Sequence, residues 1–356
     1  MFSIITLALA APFASASTEV TPEVYNLIMA VQEDSQQYVS LRGKSPITIK
    51  IGGFIQTSYV YGNGGDTEAR SGFQVQRARL IASGAVYDFN YLLSGEWDTG
   101  ASVFELKDAA VMTTFNDFGV KAGQFVTSFY SGWVTNPTTL VDGEYTISAL
   151  TFGQGRSQGI EFNRTFGDFR AFVSYNDGFY SANGPKTMAR GQYPIRPMGN
   201  PTEYGISARL EYDMSEDFTF GGAYAYQDQT VDNYSTYTVD MTYKFDKFDF
   251  NAAYVSANWG DSWNNYSVVG TASYEVTDSI QAFAQYEYGV IENADSNLNV
   301  GTVGFNYIFN SNVRWTNSVG YAFNGISNEF DVGEIGWDNS STDGQYLIRS
   351  MVQISF

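Results

Sequence analysis

The 356-residue chain has no cysteine and no histidine. Without cysteine, the fold uses no disulfides and no thiolate chemistry. Without histidine, Ser-His-Asp and Cys-His catalysis are excluded, as is every histidine-ligated metal site. Nor is there a nucleotide-binding loop, a metal-ligand cluster or a nucleophile elbow. The sequence therefore predicts no enzyme, no cofactor and no metal. Basic residues are scarce: 19 Lys and Arg stand against 38 Asp and Glu, a formal net charge of -19. That balance excludes nucleic acid as a partner, because phosphates require a basic face. Past the N-terminal segment there is no run of about 18 apolar residues, so no transmembrane helix is expected.

What is present is aromatic. The chain carries 26 Tyr, 27 Phe and 35 Gly, yet its mean hydropathy is -0.21. Rich in Tyr, Phe and Gly but mildly polar on average, it has the composition of a β-barrel with one lipid face and one wet face.

The N-terminus reads as an export signal. Phe2 to Phe13 form an apolar stretch, and Ala14-Ser15-Ala16 offers a small-x-small cleavage site. No Lys or Arg precedes the stretch, unlike a standard signal. Residues 1–16 are thus expected to be removed. Residues 17–45 read as a short periplasmic helix or a disordered lead-in, with Val24, Leu27, Ile28 and Val31 at helical spacing. That apolar seam is too short to establish a coiled coil.

From Pro46 the pattern changes to period two. Aromatic-flanked turn clusters recur at Tyr87-Asp88-Phe89-Asn90, 115–119, 166–169, 214–218, 245–248, 277–279 and 310–312. Asp, Asn, Ser and Gly suit tight turns, and the flanking aromatics suit a bilayer interface. Longer connections alternate with these turns, at 62–71, 99–102, 127–156, 177–202, 229–233, 259–264, 292–297 and 324–343. Seven short turns and eight long loops predict an all-β, transmembrane antiparallel barrel over 46–356. It has about sixteen strands, with short turns periplasmic and long loops external. That architecture belongs in a Gram-negative outer membrane, among its lipid and lipopolysaccharide.

The last strand alternates cleanly. Tyr346, Ile348, Val352, Ile354 and Phe356 share one face; Leu347, Arg349, Met351, Gln353 and Ser355 share the other. An apolar alternating strand ending in Phe356 resembles the signal read by the outer-membrane barrel-assembly machinery.

The same phasing turns most strand charges inward. Arg77, Arg79, Lys107, Lys121, Arg170, Arg209, Lys244, Arg314 and Arg349 are predicted to line the lumen, with Glu96 and Glu161 among the acids. A charge on the lipid face costs about 2–4 kcal/mol at mid-membrane, so this orientation is forced whatever the function. Asp108 does not fit the phase set by Phe104 and Leu106, which predicts a bulge or a register shift there.

A family resemblance rests on Gln76-Arg77-Ala78-Arg79-Leu80, Ser83-Gly84, Tyr91, Glu96, Leu106-Lys107-Asp108-Ala109 and Lys121-Ala122-Gly123-Gln124-Phe125. These segments, within 46–130, look like the phosphate-selective porin O/P family. The resemblance implies a sixteen-stranded homotrimeric channel with an arginine ladder, to which Arg77 and Arg79 could belong, and a lysine-lined constriction. In porins the third external loop folds inward, and here 127–156 is third, with Asp142, Glu144 and Arg156 as its charged residues. The stretch 127–155 contains no Lys, a departure from the lysine-lined pattern.

The function predicted is passive diffusion of ions and small hydrophilic solutes through a wet lumen. Its selectivity depends on the third loop. Anion preference follows if Asp142 and Glu144 point away from the narrowest point, cation preference if they line it. The alternative is a non-conducting structural or adhesive barrel.

Overall fold

The computed structural model describes residues 47–63, 70–98, 103–178, 204–228, 233–259, 262–292, 294–332 and 335–356. The expected signal segment and lead-in lie outside these residues.

Sixteen strands follow one another. They are β1 (Ile47–Asn63), β2 (Arg70–Val86), β3 (Phe89–Asp98), β4 (Val103–Phe115), β5 (Phe118–Val126), β6 (Arg156–Phe166), β7 (Phe169–Asn176) and β8 (Tyr204–Ser215). Then come β9 (Phe218–Asp228), β10 (Tyr234–Phe245), β11 (Phe248–Trp259), β12 (Ser262–Thr277), β13 (Ile280–Val290), β14 (Leu298–Asn310), β15 (Val313–Ala322) and β16 (Tyr346–Ser355). Each pairs antiparallel with its sequence neighbours, and β1 pairs with β16 to close the barrel. Closure leaves no edge strand in lipid. The strand number matches the expectation from turn rhythm. The loop expected at 259–264 is shorter than expected, because β11 runs to Trp259 and β12 starts at Ser262.

Two short helices, α1 (Ser131–Val134) and α2 (Ile147–Phe152), interrupt the chain between β5 and β6.

The tight turns use left-handed backbone where the sequence supplies Asn, Asp or Gly. Asn116 and Asp117 have φ of 47° and 66°, and Gly167 has φ of 60°. Two-residue hairpins of this hand match the twist of the flanking strands.

The wall alternates as the sequence predicts. On β16, Ile348, Val352 and Ile354 are exposed outward, while Leu347, Arg349, Met351 and Gln353 are buried inward. Outward aromatics form two bands. Near the short turns, Phe169 stacks on Phe166 and Tyr212, with centroids 5.7 and 4.6 Å away. Near the long loops, Tyr254 stacks on Tyr266 at 6.1 Å and tilts against Tyr237 at 5.8 Å. Two aromatic belts bracketing an apolar band mark the membrane-spanning height. The sequence pattern pointed to the belt at the short turns and missed the other.

Phe356 closes the ring. Its N–H donates to the Gly53 carbonyl at 3.0 Å, and its own carbonyl accepts from Gly53 N–H at 2.9 Å. Gly53 leaves room for the Phe356 ring, which a Cβ there would approach to 3.1 Å.

The misfit at Asp108 is a bulge. Ser94 pairs with Asp108 and Gly95 with Leu106, so Lys107 is the extra residue. The bulge turns both Lys107 and Asp108 inward. Gln124 on β5 stabilises it by donating to the Leu106 and Lys107 carbonyls at 3.1 and 2.9 Å. Gly123, at φ 128°, permits the approach: a Cβ there would lie 2.1 Å from the Ala109 carbonyl oxygen. The Asp-Ala and Gly-Gln-Phe segments behind the family resemblance thus build one local device.

Candidate functional site: the lumen and its infolded loops

The inner face of β2–β10 carries charges in pairs. Arg79 meets Glu96 at 2.7 Å. Lys107 bridges Glu105 at 3.0 Å and Glu96 at 3.7 Å. Arg156, at the start of β6, reaches Asp108 at 2.8 Å, and Lys121 meets Glu161 at 2.6 Å. Further round the wall, Arg209 holds Asp240 and Glu211, each at 2.7 Å. Arg170 shares Glu211 at 2.9 Å and reaches Asp213 at 3.1 Å. Mixed signs close together keep the field short-ranged, since each charge has its counterion at contact distance.

Lys244 sits on the inward phase of β10 near its periplasmic end, exposed, with no carboxylate partner among the described residues. The structure does not bring it into the paired array.

The segment 127–155 lies inside the barrel, tied to the wall by its backbone and its two acids. Asp142 pairs with Arg349 of β16 at 2.9 Å, and Glu144 pairs with Arg77 of β2. Arg314 of β15 donates to the Leu140 carbonyl at 3.0 Å, and Asn306 of β14 to the Val141 carbonyl at 2.9 Å. At the near end, Glu161 accepts from Ser128 N–H at 2.8 Å, and Arg209 donates to the Phe129 carbonyl at 2.9 Å. At the far end, Glu287 of β13 accepts from Ser148 N–H at 2.9 Å and its hydroxyl at 3.0 Å. Asp142 and Glu144 are 7% and 2% exposed, so both acids face the wall rather than open water. Burial pushes the Asp142 carboxyl up from its ordinary value, opposed by the Arg349 guanidinium.

The loop brings its own core. Phe129, Tyr130, Ile147, Leu150 and Phe152 are buried against inward apolar residues of the wall, among them Ala225, Val255, Leu298 and Val300. The segment between β15 and β16 joins them from above through Ile326, Phe330, Val332 and Ile335. Thr151 accepts the Asp331 N–H at 3.1 Å, and Arg349 donates to the Ile335 carbonyl at 2.6 Å. Two loops therefore fill the β9–β15 side of the lumen with apolar side chains. Most of the wall's charge pairs stay on the β2–β8 side, with Asp240 of β10 at its border.

Facing that charged side, the loop presents aromatic rings. Tyr145 lies against Trp133, with centroids 4.8 Å apart, and the Arg77 guanidinium sits 5.1 Å from the Tyr145 centroid. Burial pushes the Tyr145 phenol up, opposed by Arg79, Arg77 and Arg156.

Sequence reasoning placed the charged residues on their faces but missed several anchors. Gln56, Asn306, Gln353 and Glu287 are polar inward residues that hold the loop, and Gln353 donates to the Thr138 carbonyl at 3.2 Å. It also treated 324–343 as an external loop. The apolar set Ile326, Phe330, Val332 and Ile335 was the available signal that this loop packs inward. Leu347 and Met351, the two inward residues of β16 that are not polar, had the same meaning. A Cβ on Gly143 would meet the Met351 methyl, and one on Gly336 the Leu347 side chain.

A closed sixteen-stranded barrel with two aromatic belts, an apolar outside, a charged inside and a loop folded through its middle defines a membrane-spanning, channel-type outer-membrane protein. A Gram-negative porin family model matches residues 3–327, and the chain belongs to that family. It is an integral outer-membrane porin, a route for passive diffusion of ions and small hydrophilic solutes. No curated protein sequence matches the chain. Solved structures share its fold at low identity. An anion-selective porin from Comamonas acidovorans is 15% identical, with a TM-score of 0.67 over 87% of this chain and 100% of that one. OmpF of Salmonella typhi, in complex with daunomycin, is 13% identical, with a TM-score of 0.64 over 89% and 100%. OmpT of Vibrio cholerae is 14% identical, with a TM-score of 0.60 over 89% and 100%.

Proposed function

We propose that the conducting path runs along the charged side of the lumen, past Arg79, Glu96, Lys107, Lys121, Glu161, Arg156, Arg170 and Arg209. The segment 127–156 is its constriction, and the path has a weak anion preference. The observation that carries this reading is the withdrawal of Asp142 and Glu144 into contacts with Arg349 and Arg77, which removes the loop's carboxylates from the narrowest point. The wall's pairing keeps the preference weak, because Arg79, Lys107 and Arg156 each carry a carboxylate at contact distance. The same pairing weighs against strong phosphate selectivity, and no lysine lies in 127–155 to supply a second cationic cluster. Transport proceeds down the gradient and requires no bond-making group. In accord with in-vitro folded OmpT of Vibrio cholerae, a structural neighbour known in a trimer form, we propose a homotrimer.

Reversal potentials in a KCl gradient test the selectivity. The wild type is expected to favour chloride slightly. Glu144→Gln leaves Arg77 without its counterion and is expected to strengthen that preference. A cation-selective wild type, or a Glu144→Gln channel shifted toward potassium, would overturn the proposal.

A further inference from the structure

One cation in the wall does not belong to the lumen. Arg164 on β6 lies on the outward phase with Phe162 and Phe166, while Glu161 and Asn163 beside them are buried inward. Among the described residues it is the one charged side chain on the lipid face, apart from Asp228 at the outer end of β9 and the terminal carboxylate. It is exposed, and no carboxylate pairs with it, although Asp117 and Asp168 occupy adjacent turns. It packs on a ring instead: the guanidinium carbon sits 4.8 Å from the Phe118 centroid. Every arginine of the paired array on β2–β8 behaves otherwise, each with a carboxylate within bonding distance.

Height decides what such an arginine can meet. Arg164 is two residues from the end of β6 at Phe166, roughly 7 Å along the strand. That is within the aromatic belt of the short turns, where Phe166, Phe169 and Tyr212 stack. An outward arginine costs little there, and its long stem can carry the guanidinium to the headgroup plane. The planar fork suits a phosphate oxygen pair, and stacking on Phe118 fixes one face of the fork while leaving its edge open. Toward mid-membrane the same sector is apolar, with Phe162 and Val173 exposed, and Ala171 sits directly across from Arg164 on β7. A charged edge below an apolar strip with one small residue is complementary to a phosphate headgroup and its acyl chain.

We propose that Arg164, framed by Phe118, Phe162 and Phe166, is a binding site for the phosphate of an anionic phospholipid in the periplasmic leaflet. The proposal rests on the membrane placement established above and is independent of which solutes the pore passes.

The test is native mass spectrometry of the folded barrel in detergent, titrated with phosphatidylglycerol and with phosphatidylcholine. Wild type is expected to retain phosphatidylglycerol preferentially. Arg164→Ala is expected to weaken that retention about tenfold, and Arg164→Lys to weaken it less. Lys244→Ala, which removes an inward cation, is expected to leave it unchanged. Heat-modifiable mobility verifies folding, and Arg164→Gln replaces the alanine variant if that one does not fold. Undiminished retention in folded Arg164→Ala or Arg164→Gln overturns the site. So does equal loss in Lys244→Ala, which would mean bulk charge. A change of oligomeric state in the Arg164 variant with lipid retention intact also overturns it, and assigns the residue to a subunit contact. Wild-type conductance in the same variant separates this outcome from any failure of the channel reading.

Discussion

Replacing Arg349 with methionine removes a side chain that ties both infolded loops to the wall. Its guanidinium donates to Asp142 at 2.9 Å and to the Ile335 carbonyl at 2.6 Å, and it is 3% exposed. Methionine keeps much of the volume and none of the donors. Asp142 is then a buried carboxylate without its counterion, a change that costs about 3–5 kcal/mol when the survivor stays charged. Protonation limits the penalty, and the raised value of Asp142 makes that escape easy. The loss of a hydrogen bond to the Ile335 carbonyl adds about 1–3 kcal/mol. Even about 3 kcal/mol shifts the ratio of docked to undocked loop by roughly a hundredfold. The Arg77–Glu144 pair and the shared apolar core remain, so the barrel still folds and the loops remain mostly docked. Single-channel recording should show added open-channel noise and brief closures absent from the wild type. Arg349→Met combined with Asp142→Asn should be quieter than Arg349→Met alone, because the stranded charge is gone. If Arg349→Met folds and records as quietly as wild type, the two loops are held by their core alone and the ties are incidental.

Other outcomes follow from the same contacts. Deleting Phe356 removes both hydrogen bonds to Gly53 and the ring above it, and should reduce heat-modifiable folded barrel with build-up of periplasmic degradation products. Normal yield would refute a role in closure or assembly. Because the Asp142 carboxyl is raised, it loses its charge on acidification before an ordinary aspartate does, leaving Arg349 uncompensated. Anion preference should therefore rise as pH falls, beginning above the usual aspartate range. Asp142→Asn should show the low-pH selectivity already at neutral pH, and an unchanged reversal potential in that variant would refute the assignment. An epitope inserted at Ser296, between β13 and β14, should be reached from outside intact cells, whereas one at Asp246 in the β10–β11 turn should not. Surface labelling at Asp246 would invert the topology.

The wall was legible because its physics is local. A residue on β16 faces lipid or lumen by parity alone, so Ile348 and Arg349 could be sorted without knowing any neighbour. Turn chemistry was equally local at Asn116-Asp117 and Gly167. The Lys107 bulge showed only as a break in phase, since the residues that stabilise it, Gly123 and Gln124, lie on the next strand. The loops were the opposite case. Glu144 finds Arg77, and Ser148 finds Glu287, across separations in sequence that no periodicity encodes. The sequence offered Asp142 and Glu144 two orientations, and their partners Arg349 and Arg77 lie on strands that no local pattern links to the loop. The apolar residues of 324–343 held a signal that they needed cover, which the reading of that stretch as an external loop passed over, and nothing in them pointed to a loop far earlier in the chain.

That cover gives the molecule an unusual division of labour. Lipid does not drive side chains together, so the wall gains nothing from the hydrophobic effect across its outer face. The lumen is wet, so there the effect operates as it does in a soluble protein. Phe129, Tyr130, Ile147, Phe152, Ile326 and Phe330 form a water-excluding nucleus of the ordinary kind, enclosed by a cylinder that obeys membrane rules. The closed cylinder holds both ends of each loop, which lowers the closure entropy for packing the nucleus inside it. The barrel is therefore a mould as well as a wall. Urea should dissolve the casting while the mould still stands, so loss of the constriction and loss of the barrel are two separate transitions in one chain.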